Sequence, residues 1–94
     1  MSTNLPEPSN PPTRAGIEAW LRDVVVELTG LPAVSVDVRA KLARFGVDSA
    51  TALIITDMLI DWLGVDLDPT LLYENDTIEA LANYLERRVK ERPQ

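Results

Sequence analysis

Phe45-Gly46-Val47-Asp48-Ser49 is the stretch on which the reading of this chain turns. Gly46 breaks whatever precedes it, and Asp48 or Ser49 is suited to cap a helix by accepting from the free N–H groups of a first turn. The residues that follow, Ala50 to Leu63, contain no Gly or Pro, so a helix begun at Ser49 runs on unbroken. A hydroxyl at that point lies at the positive end of the helix dipole, where unpaired backbone N–H groups favour an anion. Local sequence leaves two readings: a capping pair and nothing more, or a serine that carries a phosphodiester.

Outward from Ser49, this helix is unusually apolar. Setting Ala52, Leu53, Ile55, Leu59 and Leu63 on a core face leaves Ala50, Ile54, Asp57 and Asp61 on the opposite stripe, at the i, i+4, i+7, i+11 spacing of one surface. An exposed Ile54, with Ile60 or Trp62, would suit a partner offering an apolar pocket. The alternative is a helix buried on both sides by its neighbours.

Upstream, Ile17, Trp20, Leu21, Val24, Val25 and Leu28 recur at helical spacing from Thr13 or Arg14, and Gly30 with Pro32 predicts a stop near Thr29. The connection from Gly30 to Asp48 is long for so small a domain and is expected to be partly ordered. In it Asp37 would cap a short turn with Val38, Leu42 and Phe45 on one side, leaving Arg39, Lys41 and Arg44 to water. Downstream, Gly64 ends the helix at Ser49–Leu63. Thr70 to Tyr73 has room for one helical turn presenting Leu71 and Leu72, and a last helix follows with an inner stripe of Ile78, Leu81, Ala82, Leu85 and Val89. Its cap is either an Asp76/Glu79 box or Thr77, and Arg87, Arg88 and Lys90 in its last turns would complement the dipole.

The expected fold is therefore all-α, a small antiparallel four-helix bundle with a short third helix and a long first loop. Residues 13–91 are expected to form the domain. Residues 1–12, with four of the seven prolines, are expected to be a flexible tail, and residues 92–94 a C-terminal one.

Composition narrows the chemistry. Ninety-four residues, 46% apolar, make one core, since chains this short bury only about 60 to 65% of their unfolded surface. Without Cys or His there are no disulfides, thiol nucleophiles, Ser-His-Asp triads or ordinary zinc sites, so thiol chemistry would have to arrive on a prosthetic group. No paired-carboxylate site is evident, and the chain is not expected to be an enzyme. No apolar run reaches the length of a membrane span and no signal peptide is recognisable, which makes a cytoplasmic protein the expectation. A formal charge of −6 argues against nucleic acid as partner. Between Gly46 and Leu85 stand eight acidic residues and no basic one, which is either a solvated face or a field steering the domain towards basic surfaces.

Gly46-Val47-Asp48-Ser49 resembles the Gly-x-Asp-Ser motif of acyl carrier proteins, and the resemblance extends from about Ile17 to Leu85. Ala52, Leu53, Ile55 and Leu59 fall where that family keeps apolar residues, and Pro69-Thr70-Leu71-Leu72-Tyr73 with Asp76-Thr77-Ile78-Glu79-Ala80-Leu81 is similar to its polyketide synthase members. The resemblance implies a monomeric carrier with 4'-phosphopantetheine covalently attached to Ser49, Asp48 orienting the serine and meeting a phosphopantetheinyl transferase, and a third helix lining the path of the acyl chain. It also implies a partner-binding surface at Ala50, Ile54, Asp57 and Asp61, facing an acyl-loading enzyme (fatty acyl-AMP ligase or acyltransferase) and a downstream ketosynthase or other synthase domain. The family usually has a large apolar residue after the serine and often a glutamate four residues later; here stand Ala50 and Ile54. Asp48-Ser49-Ala50 with Asp61-Trp62-Leu63-Gly64 is similar to carriers loaded by fatty acyl-AMP ligases. Two alternatives stay open: a peptidyl carrier, although those more often have histidine in place of the aspartate, and an acidic helical interaction module without a prosthetic group. The Met1 start leads us to expect a freestanding carrier over one excised from a megasynthase.

Overall fold

A computed structural model describes residues 13–91; the two expected tails lie outside the described residues. Four helices form: α1 (Arg14–Thr29), α2 (Ser49–Leu63), α3 (Leu71–Glu74) and α4 (Ile78–Glu91), with 3-10 turns at Ala33–Ser35 and Leu42–Phe45. The all-α bundle with a one-turn third helix is as expected.

α1 starts where Thr13 Oγ1 accepts from the Gly16 N–H at 3.2 Å and ends where the Gly30 N–H donates to Val26 O at 2.9 Å. Its buried face is Ile17, Trp20, Leu21, Val24 and Val25, with Leu28 half-buried. It packs along α4, and the Arg14 N–H donates to Glu86 Oε2 at 2.8 Å, so the start of α1 meets the second half of α4, as antiparallel helices must. In α4, Ile78, Leu81, Ala82 and Leu85 have no solvent exposure and Val89 is half-buried. Of the two caps left open, Thr77 is the one used: its Oγ1 accepts from the Ala80 N–H at 3.0 Å.

The long first connection is ordered by its own turns and by the start of α4. Asp37 Oδ1 accepts from the Arg39 N–H at 2.9 Å. The Leu42 N–H donates to Asp76 O at 2.7 Å and the Glu79 N–H to Val38 O at 2.9 Å. Leu42 and Phe45 are buried as expected, and so is Val36, which periodicity did not single out. Arg39, Lys41 and Arg44 are exposed, and two of them pair at 3.8 Å with acidic residues at or just before the start of α4: Arg39 with Glu79 in its first turn and Lys41 with Asp76.

The phase of α2 corrects the sequence reading at one position. Leu53, expected in the core, is 48% exposed, and Thr56 is buried in its stead. At about 100° per residue, Ala52, Ile55, Thr56, Leu59 and Leu63 share one face and Leu53 falls at its flank. Thr56 is tolerated inside because its hydroxyl donates to Ala52 O at 2.8 Å, leaving no polar atom unpaired. Ala50, Leu53, Ile54, Asp57 and Asp61 are exposed, so α2 is not buried on both sides. Ile60 and Trp62 are half-buried; Trp62 stacks on Trp20 with centroids 4.8 Å apart and planes 28° from parallel, joining α2 to α1.

In the last connection Asp68 Oδ1 accepts from both the backbone N–H and the hydroxyl of Thr70, at 2.8 and 2.7 Å. Those bonds, the backbone one foremost, hold the Asp68 carboxyl below its ordinary range. Thr70 is thereby the residue before α3, not its first. Arg88, expected only to complement the α4 dipole, reaches across to donate to Asp66 O at 2.7 Å.

Candidate functional site

Gly46 closes the turn Leu42–Phe45 with φ +85° and donates its N–H to Ala43 O at 3.1 Å. A Cβ there would touch nothing within 4 Å, so the left-handed backbone, not crowding, calls for glycine. Asp48 follows in extended conformation as the residue before α2, with Oδ1 accepting from the Thr51 N–H at 2.9 Å and its carbonyl from the Ala52 N–H at 2.8 Å. The Thr51 backbone N–H is the largest of the influences that hold the Asp48 carboxyl below its ordinary value, with the Thr51 hydroxyl next. Asp48 is therefore ionised at neutral pH.

With Asp48 doing the capping, the Ser49 hydroxyl is left for other work. Ser49 is the exposed first residue of α2, and its Oγ lies 2.6 Å from the Tyr73 hydroxyl, on α3. Leu71 and Leu72 are buried and hold α3 against the bundle, while Tyr73 is 62% exposed. Beside Tyr73 opens a cleft of about 180 Å³ walled by Leu42, Val47, Ala52 and Leu72, with Lys41 and Asp76 also lining it.

The site thus brings together Asp48, Ser49 and Tyr73. Ala50, Ile54, Asp57 and Asp61 lie on the exposed side of α2, joined by Leu53. Sequence reasoning missed Tyr73 as a neighbour of Ser49, because a contact across 24 residues leaves no trace in local periodicity; its one signal was an aromatic residue with a polar tip on a single-turn helix. Among the described residues no group of three or more His, Cys, Asp or Glu could hold a metal ion, and no helix is long and apolar enough to cross a membrane.

The family model described as "Phosphopantetheine attachment site" matches residues 19–85. Polyketide synthase PksM of Bacillus subtilis (strain 168) is 37% identical over 68 residues, which are 72% of this chain and 2% of that synthase. The crystal structure of a free-standing peptidyl carrier protein from an uncharacterized Acinetobacter baumannii secondary metabolic pathway is 33% identical, with a TM-score of 0.75 over 80% of this chain and 94% of that one. An acyl carrier protein from Anabaena sp. PCC 7120 with a variant phosphopantetheinylation-site sequence superposes with a TM-score of 0.77 at 27% identity, over 86% and 92% of the two chains. The chain spans only 2 to 4% of the length of the curated synthases it matches. With the family match running from within α1, through the turn before Ser49, into α4, the chain belongs to the phosphopantetheine-attachment family of carrier proteins, which bear 4'-phosphopantetheine on a serine and are not themselves catalytic.

Proposed function

We propose that Ser49 is the residue that receives 4'-phosphopantetheine and that the chain is an acyl carrier of polyketide or lipid biosynthesis. The observation that carries this reading is the division of labour at the start of α2: Asp48 caps the helix, and Ser49 presents an exposed hydroxyl at its positive end. Two serines lie inside the matched region, Ser35 and Ser49, and only Ser49 follows a Gly-x-Asp and heads a helix. The surroundings fit a phosphodiester, since an exposed first-turn position sets no wall against the added group. When bound, the group supplies a thiol for holding acyl chains as thioesters; Asp48 orients Ser49 and, with it, meets the phosphopantetheinyl transferase.

Aspartate at position 48 favours an acyl cargo, while the likeness to a free-standing peptidyl carrier keeps a peptidyl cargo as the second reading. For loading we favour a fatty acyl-AMP ligase over an acyltransferase, because the exposed side of α2 offers Ala50, a small residue beside Ser49, and apolar Leu53 and Ile54, each 48% exposed, with Asp57 and Asp61 farther along. A downstream ketosynthase or related synthase domain would then take the acyl group.

The test is intact mass after incubation with coenzyme A, magnesium and a promiscuous phosphopantetheinyl transferase. One phosphopantetheine is expected on the wild type and none on Ser49→Ala; an unmodified wild type or a labelled variant refutes the assignment. The modified protein is then offered separately to a fatty acyl-AMP ligase with ATP and fatty acid, a malonyl transferase, and an amino-acid adenylating enzyme. Fatty acylation is expected, and aminoacylation alone would select the peptidyl reading.

A further inference from the structure

We infer that the Tyr73 hydroxyl is a hydrogen-bond donor to the phosphodiester on Ser49, so that α3 as well as α2 holds the prosthetic group. This rests on Ser49 being the attachment residue, and goes beyond it by adding a residue from a second helix.

The geometry starts from a bond between two hydroxyls. At 2.6 Å, Ser49 Oγ and Tyr73 Oη lie at the short end of the O–H···O range, and either is able to donate. The Tyr73 ring is 62% exposed, so burial does not hold it there; the backbone of α3, anchored by buried Leu71 and Leu72, aims it. Esterifying the serine oxygen removes the serine hydrogen. The phenol is then the one member of the pair with a hydrogen to give, and it faces an anionic phosphate where before it faced a neutral hydroxyl. Bonds to ionised acceptors are shorter and about twice as strong as neutral ones.

The charge around the site makes such a donor valuable. From Gly46 to Leu85 the chain contains no Lys or Arg, and Asp48, next to Ser49, is held ionised by its Thr51 bond. A phosphodiester there adds a negative charge beside a carboxylate with no cation on α2 or α3 to offset it. A neutral donor helps without altering the acidic surface that partners meet. Lys41, which shares the cleft with Tyr73, is already paired with Asp76. Attachment thus changes the link between α2 and α3 from a neutral bond to a charge-assisted one.

The experiment compares wild type and Tyr73→Phe, which keeps the exposed ring and deletes only the hydroxyl, each in unmodified and phosphopantetheinylated form. Intact mass comes first: a wild type that gains no mass refutes Ser49 as attachment residue, a failure of the earlier reading and not of this one. On the modified proteins, the phosphorus NMR resonance of the phosphodiester is expected to shift between wild type and Tyr73→Phe. Backbone amide exchange in Leu72 to Asn75 is expected to slow about fivefold on modification in the wild type, from the difference between a neutral and a charge-assisted bond, and to stay unchanged in Tyr73→Phe. Coincident phosphorus resonances in the two modified proteins overturn the proposal, whatever the exchange rates do. A purely structural role for Tyr73 would alter exchange in both forms alike and leave that resonance where it was.

Discussion

α4 and α2 are close in length, 14 and 15 residues, yet they divide their apolar residues differently. α4 turns Ile78, Leu81, Ala82 and Leu85 wholly inward and gives its other side to polar and charged residues, so its apolar content goes to folding. α2 buries Ala52, Ile55, Leu59 and Leu63 and in addition exposes Leu53 and Ile54, beside Ser49. Exposed apolar side chains on a helix that already has a complete inner face add little to stability; clustered beside Ser49, the attachment residue we propose, they would gain value from a surface that covers them. In α2, apolar side chains stand on both the buried and the exposed side of one element, which fits our proposal of a recognition surface there, whereas α4 keeps its wholly buried apolar residues on one side.

The largest effect that sharpens this contrast is Leu85→Ala, which should cost about 2 to 5 kcal/mol through lost burial and the cavity left behind, read from urea unfolding. A loss below 1 kcal/mol would mean that α4 is not the buried wall it looks to be. Asp48→Ala should come next, lowering the melting temperature at neutral pH by removing the α2 cap. The sign of its pH dependence follows from a folded carboxyl held below its unfolded value of 3.8: the cap's charge-dependent contribution is fully present above that value and is lost as pH falls through the lower folded one. Melting curves of the two proteins should therefore draw together in acid; a gap that widens there contradicts the cap.

Smaller again is the effect of Asp57→Lys with Asp61→Lys, which should slow association with the transferase and weaken its salt dependence while leaving the fold intact. Stopped-flow rates unmoved by the double change would leave the acidic side as a solvated surface. The smallest expected change is Ile54→Ala, within about 0.5 kcal/mol in unfolding; a core-sized loss would erase the difference between the two sides of α2.

These contrasts also mark what was legible in the sequence. α4 declared itself, because its apolar residues follow one stripe and charges fill the rest, and α1 declared its end through Gly30 and Pro32. The start of α2 was legible to the residue from Gly46-Val47-Asp48-Ser49, although the choice of Asp48 over Ser49 as the cap was not. The phase of α2 was harder, since a helix apolar nearly all round has no pattern to separate Leu53 from Ala52, and a buried threonine that satisfies itself through Ala52 O looks polar in a list of residues. Contacts between distant segments left no trace in local periodicity, as for Tyr73 with Ser49 and Arg88 with Asp66 O, and neither did the burial of Val36 within the first connection.

The stacked indoles have a consequence for observing this molecule. The chain has two tryptophans, and both belong to the one pair, Trp20 of α1 against Trp62 of α2, 4.8 Å apart. Rings at that separation and near-parallel tilt couple their electronic transitions, so the indole bands of the near-ultraviolet circular dichroism and the tryptophan emission both report on this single joint. An event that rotates or lifts α2 against α1 as the carrier is loaded, docked or released should alter the optical signal without any label, and one confined to the outward side of α2 should leave it silent.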